Sequence, residues 1–97
     1  MTTSYYIREH SNSNSASIYM RVNEGKSKQY RFSTDQHLTK GSSWNKKTQS
    51  VRTNSIEPYD LINLQLRRLT AFIKAEYILA KSMGIQRSHR FYKSVID

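Results

Sequence analysis

The chain has no cysteine, one proline, three glycines and only seven carboxylate side chains in 97 residues. Without cysteine there can be no disulfide framework and no thiolate metal site. No stretch approaches the roughly 20 consecutive apolar residues of a membrane-spanning helix. The opening Met1-Thr2-Thr3-Ser4-Tyr5-Tyr6 has neither the basic start nor the apolar run of a signal peptide. A soluble, cytoplasmic protein with no membrane partner is therefore expected. His10, His37 and His89 lie far apart, with no partners at ligand spacing, so no metal and no other cofactor is expected.

What the chain does have is positive charge and tyrosine. Sixteen Lys and Arg against seven Asp and Glu leave a net charge of +9 and a pI near 10.0. Net charge of this size and sign speaks to the partner rather than the fold, and it points to a polyanion. Hydrophobic residues reach only 36%, yet aromatics make up 11%, seven of them Tyr. That is too aromatic for a disordered tail and too lean for a large core, so one small domain with a thin hydrophobic layer is expected.

The first half reads as strands. Tyr5-Tyr6-Ile7-Arg8 is short and β-prone, and Ser11-Asn12-Ser13-Asn14-Ser15 is a loop of turn formers. From Ser17 to Val22 the pattern alternates, with Ile18, Met20 and Val22 on one face and Tyr19 and Arg21 on the other. Tyr30 and Phe32 then share one parity, Gln29 and Arg31 the other. A three-residue loop Asn23-Glu24-Gly25 with Gly in its last, left-handed position would close the hairpin. That register sets Ile18 opposite Tyr30 and Met20 opposite Lys28. Residues 35–54 read as irregular, with a turn or a single helical turn around Gly41-Ser42-Ser43 and Trp44 as a core plug or edge cover.

From Ser55 the period changes to that of a helix. Tyr59, Ile62, Leu66, Leu69, Ile73 and Tyr77 or Ala80 form one stripe, and Leu61, Phe72 and Leu79 widen it. Ser55 as cap and Pro58 in the first turn predict a start near 55–57, and Gly84 a stop. Residues 85–97 have little left to pack against. The expected class is α+β, a three-stranded antiparallel sheet packed on one long C-terminal helix.

These residues, in this order, resemble a known family. The segments are the hairpin Ile18-Tyr19-Met20-Arg21-Val22-Asn23, the strand end Tyr30-Arg31-Phe32-Ser33-Thr34, the run from Trp44 to Val51, and Asn63 and Leu66 in the helix. Over roughly residues 4–82 the chain is similar to the N-terminal arm-binding domain of tyrosine recombinases from phages and conjugative transposons. One departure is Asp35, where the family usually has Gly, although Asp accepts left-handed geometry better than most residues. The resemblance implies an arm DNA-binding domain over residues 1–84, followed by a linker or the start of a core-binding domain over 85–97. It implies a sheet whose free face lies on arm-type sites of duplex DNA, with other recombinase protomers as partners only through the full-length protein and the isolated domain monomeric. It also implies no enzyme activity here, since the recombinase catalytic residues belong to a separate C-terminal domain that nothing in this chain matches.

The candidate DNA-binding residues follow from face and charge. Arg8, Tyr19, Arg21, Gln29 and Arg31 share the polar parity of the strands, where Arg can read guanine and Gln adenine in the major groove. Lys26, Lys28, Lys46 and Lys47 sit in or near loops as candidates for phosphate contact. Arg67 and Arg68, on the covering helix, are expected to add only to the general field. Two other classes fit the composition: an RNA-binding sheet that stacks bases on Tyr6, Tyr19 and Tyr30, and a protein-interaction domain that docks by its helix.

Overall fold

The computed structural model describes residues 1–11, 15–25 and 28–96 of the chain. Strands β1 (Thr2–Glu9), β2 (Ala16–Glu24) and β3 (Lys28–Leu38) form an antiparallel sheet in the order β1-β2-β3. A 3₁₀ turn (Gly41–Ser43) leads into a two-residue ladder of β4 (Trp44–Asn45) with β5 (Ser50–Val51). Helix α1 (Tyr59–Ser82) covers one face of the sheet, and a short α2 (His89–Ile96) follows. No helix among the described residues is long and apolar enough to cross a membrane.

The period-two reading holds, because Ile18, Met20 and Val22 are fully buried while Tyr19 and Arg21 are only partly covered. The hairpin register differs from the expected one. Val22 pairs with Tyr30 and Met20 with Phe32, so the connection begins at Gly25 (φ 70°) instead of ending there. This register sets apolar side chains opposite apolar ones, which the expected Met20–Lys28 pairing did not. The displacement along β3, from Lys28 to Phe32, is even, so every side chain keeps its face.

Strand β3 also runs further than expected, to Leu38. The register shifts between Ile18 and Tyr19, where Thr34 and Asp35 are inserted. Asp35 takes a left-handed φ of 60° there, and Thr34 Oγ1 donates to the Ile18 carbonyl at 2.8 Å. The insertion preserves parity, so Leu38 is buried like Phe32.

Helix α1 begins at Tyr59, later than the expected 55–57. Ser55 instead donates to Glu57 Oε2 at 2.6 Å in the turn before the helix, and Pro58 stands at the N-cap. The C-terminus ends as read. Gly84 is left-handed (φ 70°), Ile85 N–H donates to the Ala80 carbonyl at 2.9 Å, and Gly84 N–H to Lys81 at 3.2 Å, the paired closure of a Schellman motif. The buried stripe is Ile62, Leu66, Ile73 and Ala80. Leu61, Phe72 and Leu79 do not widen it, since each is half-exposed on the helix's outer side. A single sheet face reaches too little of the helix to bury a broader arc.

Two clusters make up the core. Ile18, Leu38, Trp44, Val51, Ile62 and Leu66 meet at one end, so of the two roles expected of Trp44, core plug or edge cover, the first is the one it takes. Met20, Val22, Phe32, Ile73 and Tyr92 meet at the other. The expectation that residues beyond 84 lack packing is overturned here: Tyr92 is fully buried, against Tyr30, Phe32 and Phe91. Arg87 donates to Glu24 Oε1 at 2.7 Å and lies over the Tyr77 ring at 4.9 Å. Burial first, and then the neighbouring Glu24 carboxylate, raise the Tyr92 phenol well above its ordinary value.

Candidate nucleic-acid interface

With α1 on one side of the sheet, the outward strand positions lie on the other. The strand register lines it with four cross-strand rows: Thr2–Asn23–Gln29, Ser4–Arg21–Arg31, Tyr6–Tyr19–Ser33 and Arg8–Ser17–His37. None of these positions is a carboxylate. Arg8, Gln29 and Arg31 are exposed, and Tyr19 and Arg21 are half-buried in the middle of the sheet.

The side chains on this face hold one another in place. Tyr6 and Tyr19, directly opposite across β1 and β2, stack with ring centres 5.7 Å apart and planes 20° apart. The Arg21 guanidinium lies over the Tyr6 ring at 4.8 Å, and its Nε is enclosed without a hydrogen-bond partner. Arg31 Nη2 donates to Gln29 Oε1 at 2.9 Å, and Gln29 Nε2 donates to Asn23 Oδ1 at 3.0 Å. Rotamers held this way lose less freedom on binding than free ones.

Of the residues singled out from the sequence, the structure therefore gathers Arg8, Tyr19, Arg21, Gln29 and Arg31 on one surface. Lys28 does not join them. It pairs with Glu24, in the parity of Val22 and Tyr30, and so belongs to the helix-side face at the end of the sheet. Lys26 lies outside the described residues. Lys46 and Lys47 are exposed in the turn between β4 and β5, and Lys46 lines a groove with Tyr6 and Ile7 at the β1 edge.

Sequence reasoning missed one group on this face. Ser17 is almost wholly buried between two histidines, its Oγ 3.2 Å from His10 Nε2 and 3.0 Å from His37 Nδ1. Ser17 and His37 share the parity of Tyr19 and Arg21, but the signal was hidden because β3 was not expected to reach residue 37.

The small ladder is anchored to α1. Asn63 Oδ1 accepts from Val51 N–H at 2.8 Å, and Asn63 Nδ2 donates to the Val51 carbonyl at 3.1 Å, so the side-chain amide acts as one more strand position. Gln49 (φ 52°) accepts from the Tyr5 N–H on the open edge of β1 at 2.7 Å. Tyr5 reaches the other way, its hydroxyl donating to the Leu66 carbonyl and meeting Thr70 Oγ1, each at 2.8 Å. Burial raises the Tyr5 phenol, and the Thr70 contact partly offsets this. The β4–β5 turn is thus tied to the sheet edge and to the helix at once.

The family model described as Arm DNA-binding domain matches residues 5–89. No curated protein and no solved structure matches the chain.

Proposed function

The chain belongs to the arm DNA-binding domain family, the non-catalytic N-terminal modules of tyrosine recombinases, and we propose that it binds arm-type sites in duplex DNA sequence-specifically through the free face of its sheet. The observation that carries this reading is the row Ser4–Arg21–Arg31 beside Asn23–Gln29, a carboxylate-free surface of donors across three strands. A sheet of this width enters a major groove about 12 Å across, where Arg reads guanine and Gln reads adenine by paired hydrogen bonds. Arg31 and Gln29, exposed and linked to each other, are the base readers. Arg21, held against Tyr6, sets the depth of insertion. Lys46 and Lys47 at the sheet edge contact phosphates and fix orientation without reading sequence.

Single-stranded RNA is the poorer fit. Stacking needs free ring faces, whereas Tyr6 and Tyr19 occupy each other, Arg21 covers Tyr6, and Tyr30 packs on Tyr92 behind the sheet. In the same reading the full-length protein is a tyrosine recombinase, and protomer contacts arise only in that full-length protein.

Repeated selection from a pool of random duplexes tests the proposal. The domain should enrich a short consensus, and Arg31→Ala or Gln29→Ala should each relax one position of it at a cost of about 1–3 kcal/mol. A pool that converges on nothing, with both variants binding as the parent does, would refute the sheet-face reading.

A further inference from the structure

The edge strand β1 has cations along its whole length, and they come from parts of the chain far apart in sequence. Near its start a groove of about 540 Å³ is lined by Thr3, Thr48, Ser50, Thr70, Arg67 and Lys74. Tyr5 also lines the next groove, with Tyr6, Ile7 and Lys46. Lys46 continues into a third, beside Glu9, with Lys47 and Arg52. The three grooves share lining residues and so run on from one another beside the strand, whose eight residues span about 26 Å at 3.3 Å each. Five cations line them against one carboxylate, Glu9. Among the described residues none of the five is in an ion pair.

We propose that this edge is a phosphodiester track, holding the backbone of one DNA strand while the free face lies in the groove beside it, and that Arg67, Lys74 and Arg52 are phosphate contacts. The inference rests on the sheet-face reading and adds to it the side on which the backbone runs. A sheet laid in the major groove has a backbone flanking its edge, and the hydroxyls of Thr3, Thr48, Ser50 and Thr70 are the neutral donors that accompany cations at phosphates. On α1 the positions 67, 70 and 74 fall on one side of the helix. Both Arg67 and its neighbour Arg68 are exposed, but Arg67 is turned to the β1 edge and Arg68 lines none of these grooves. The sequence-based expectation that both arginines add only to the general field is revised for Arg67.

That adjacency makes the test. Affinity for a random-sequence 20-base-pair duplex is titrated by fluorescence anisotropy across salt concentrations, for Arg67→Ala, Lys74→Ala, Arg68→Ala and Arg31→Ala. Each lost phosphate contact should lower the slope of log K against log salt by about 0.9. Arg67→Ala and Lys74→Ala should each show that loss, and Arg68→Ala, which removes the same charge, should not. Equal changes for Arg67→Ala and Arg68→Ala would overturn the track, leaving only a diffuse field. If neither matters while Arg31→Ala relaxes the selected consensus, the track fails and the sheet-face reading stands. If Arg31→Ala is silent as well, the sheet-face reading itself has failed, and the track with it.

Discussion

On the helix side of the sheet Ile18, Met20 and Val22 are fully buried, while one position along the same strand Tyr19 and Arg21 are stacked and half-open to solvent. The two sets alternate along a single segment, so no residue serves both the core and the outer surface. On one side, specificity of packing comes from apolar contact that excludes water. On the other, order comes from a chain of polar and ring contacts, Arg31 to Gln29 to Asn23 and Arg21 to Tyr6 to Tyr19, that keep donors pointing outward. Stability and recognition should therefore respond to different substitutions.

The strongest challenge to that separation comes from the back. Tyr92→Ala should destabilise the domain by about 3–5 kcal/mol, the usual cost of emptying a buried aromatic site. Tyr92→Phe should be much milder, because it keeps the ring that fills the site. Urea denaturation measures both. A mild effect of the alanine would mean that α2 does not close the second cluster.

A smaller loss is expected from Asn63→Ala. It strips Val51 of both backbone partners and should cost about 1–3 kcal/mol. Hydrogen exchange at the Val51 amide should speed up before that of the central strand. Unchanged protection would show that the small ladder holds itself.

On the front, Arg21→Ala and Arg31→Ala should change the unfolding free energy from urea denaturation by no more than about half a kcal/mol while impairing DNA binding. A larger loss for Arg21→Ala would show that its contact with Tyr6 supports the fold, and would blur the distinction between the faces.

The smallest effect lies away from both. Ser55 and Thr39 hydrogen bonds, in that order, hold the Glu57 carboxyl down at about 2 from an ordinary 4.5. A depressed carboxylate contributes stability that is complete above pH 4.5 and is lost as pH falls toward 2. Glu57→Gln should flatten the acid limb of the stability curve in that window. An unaltered limb would show that the contact ordering the approach to α1 is absent in solution.

Much of this was legible in the chain because it is local. Alternation assigned Tyr19, Arg21, Gln29 and Arg31 to one face, and that assignment survived a wrong register because the displacement was even. The 3.6-residue stripe placed Ile62, Leu66 and Ile73, and a left-handed Gly84 ended the helix as read. Tertiary structure decided what depends on distant partners. Pairing energy across β2 and β3 chose Val22–Tyr30, and a two-residue insertion carried β3 on to His37. Tyr92 found its site only because Met20, Phe32 and Ile73 left one open. Charge declared that the partner is a polyanion, but a formula of +9 has no direction. Only the packing of α1 and the β4–β5 turn beside β1 brought Lys46, Arg52, Arg67 and Lys74 to a single edge, since no local period relates positions so far apart in the chain.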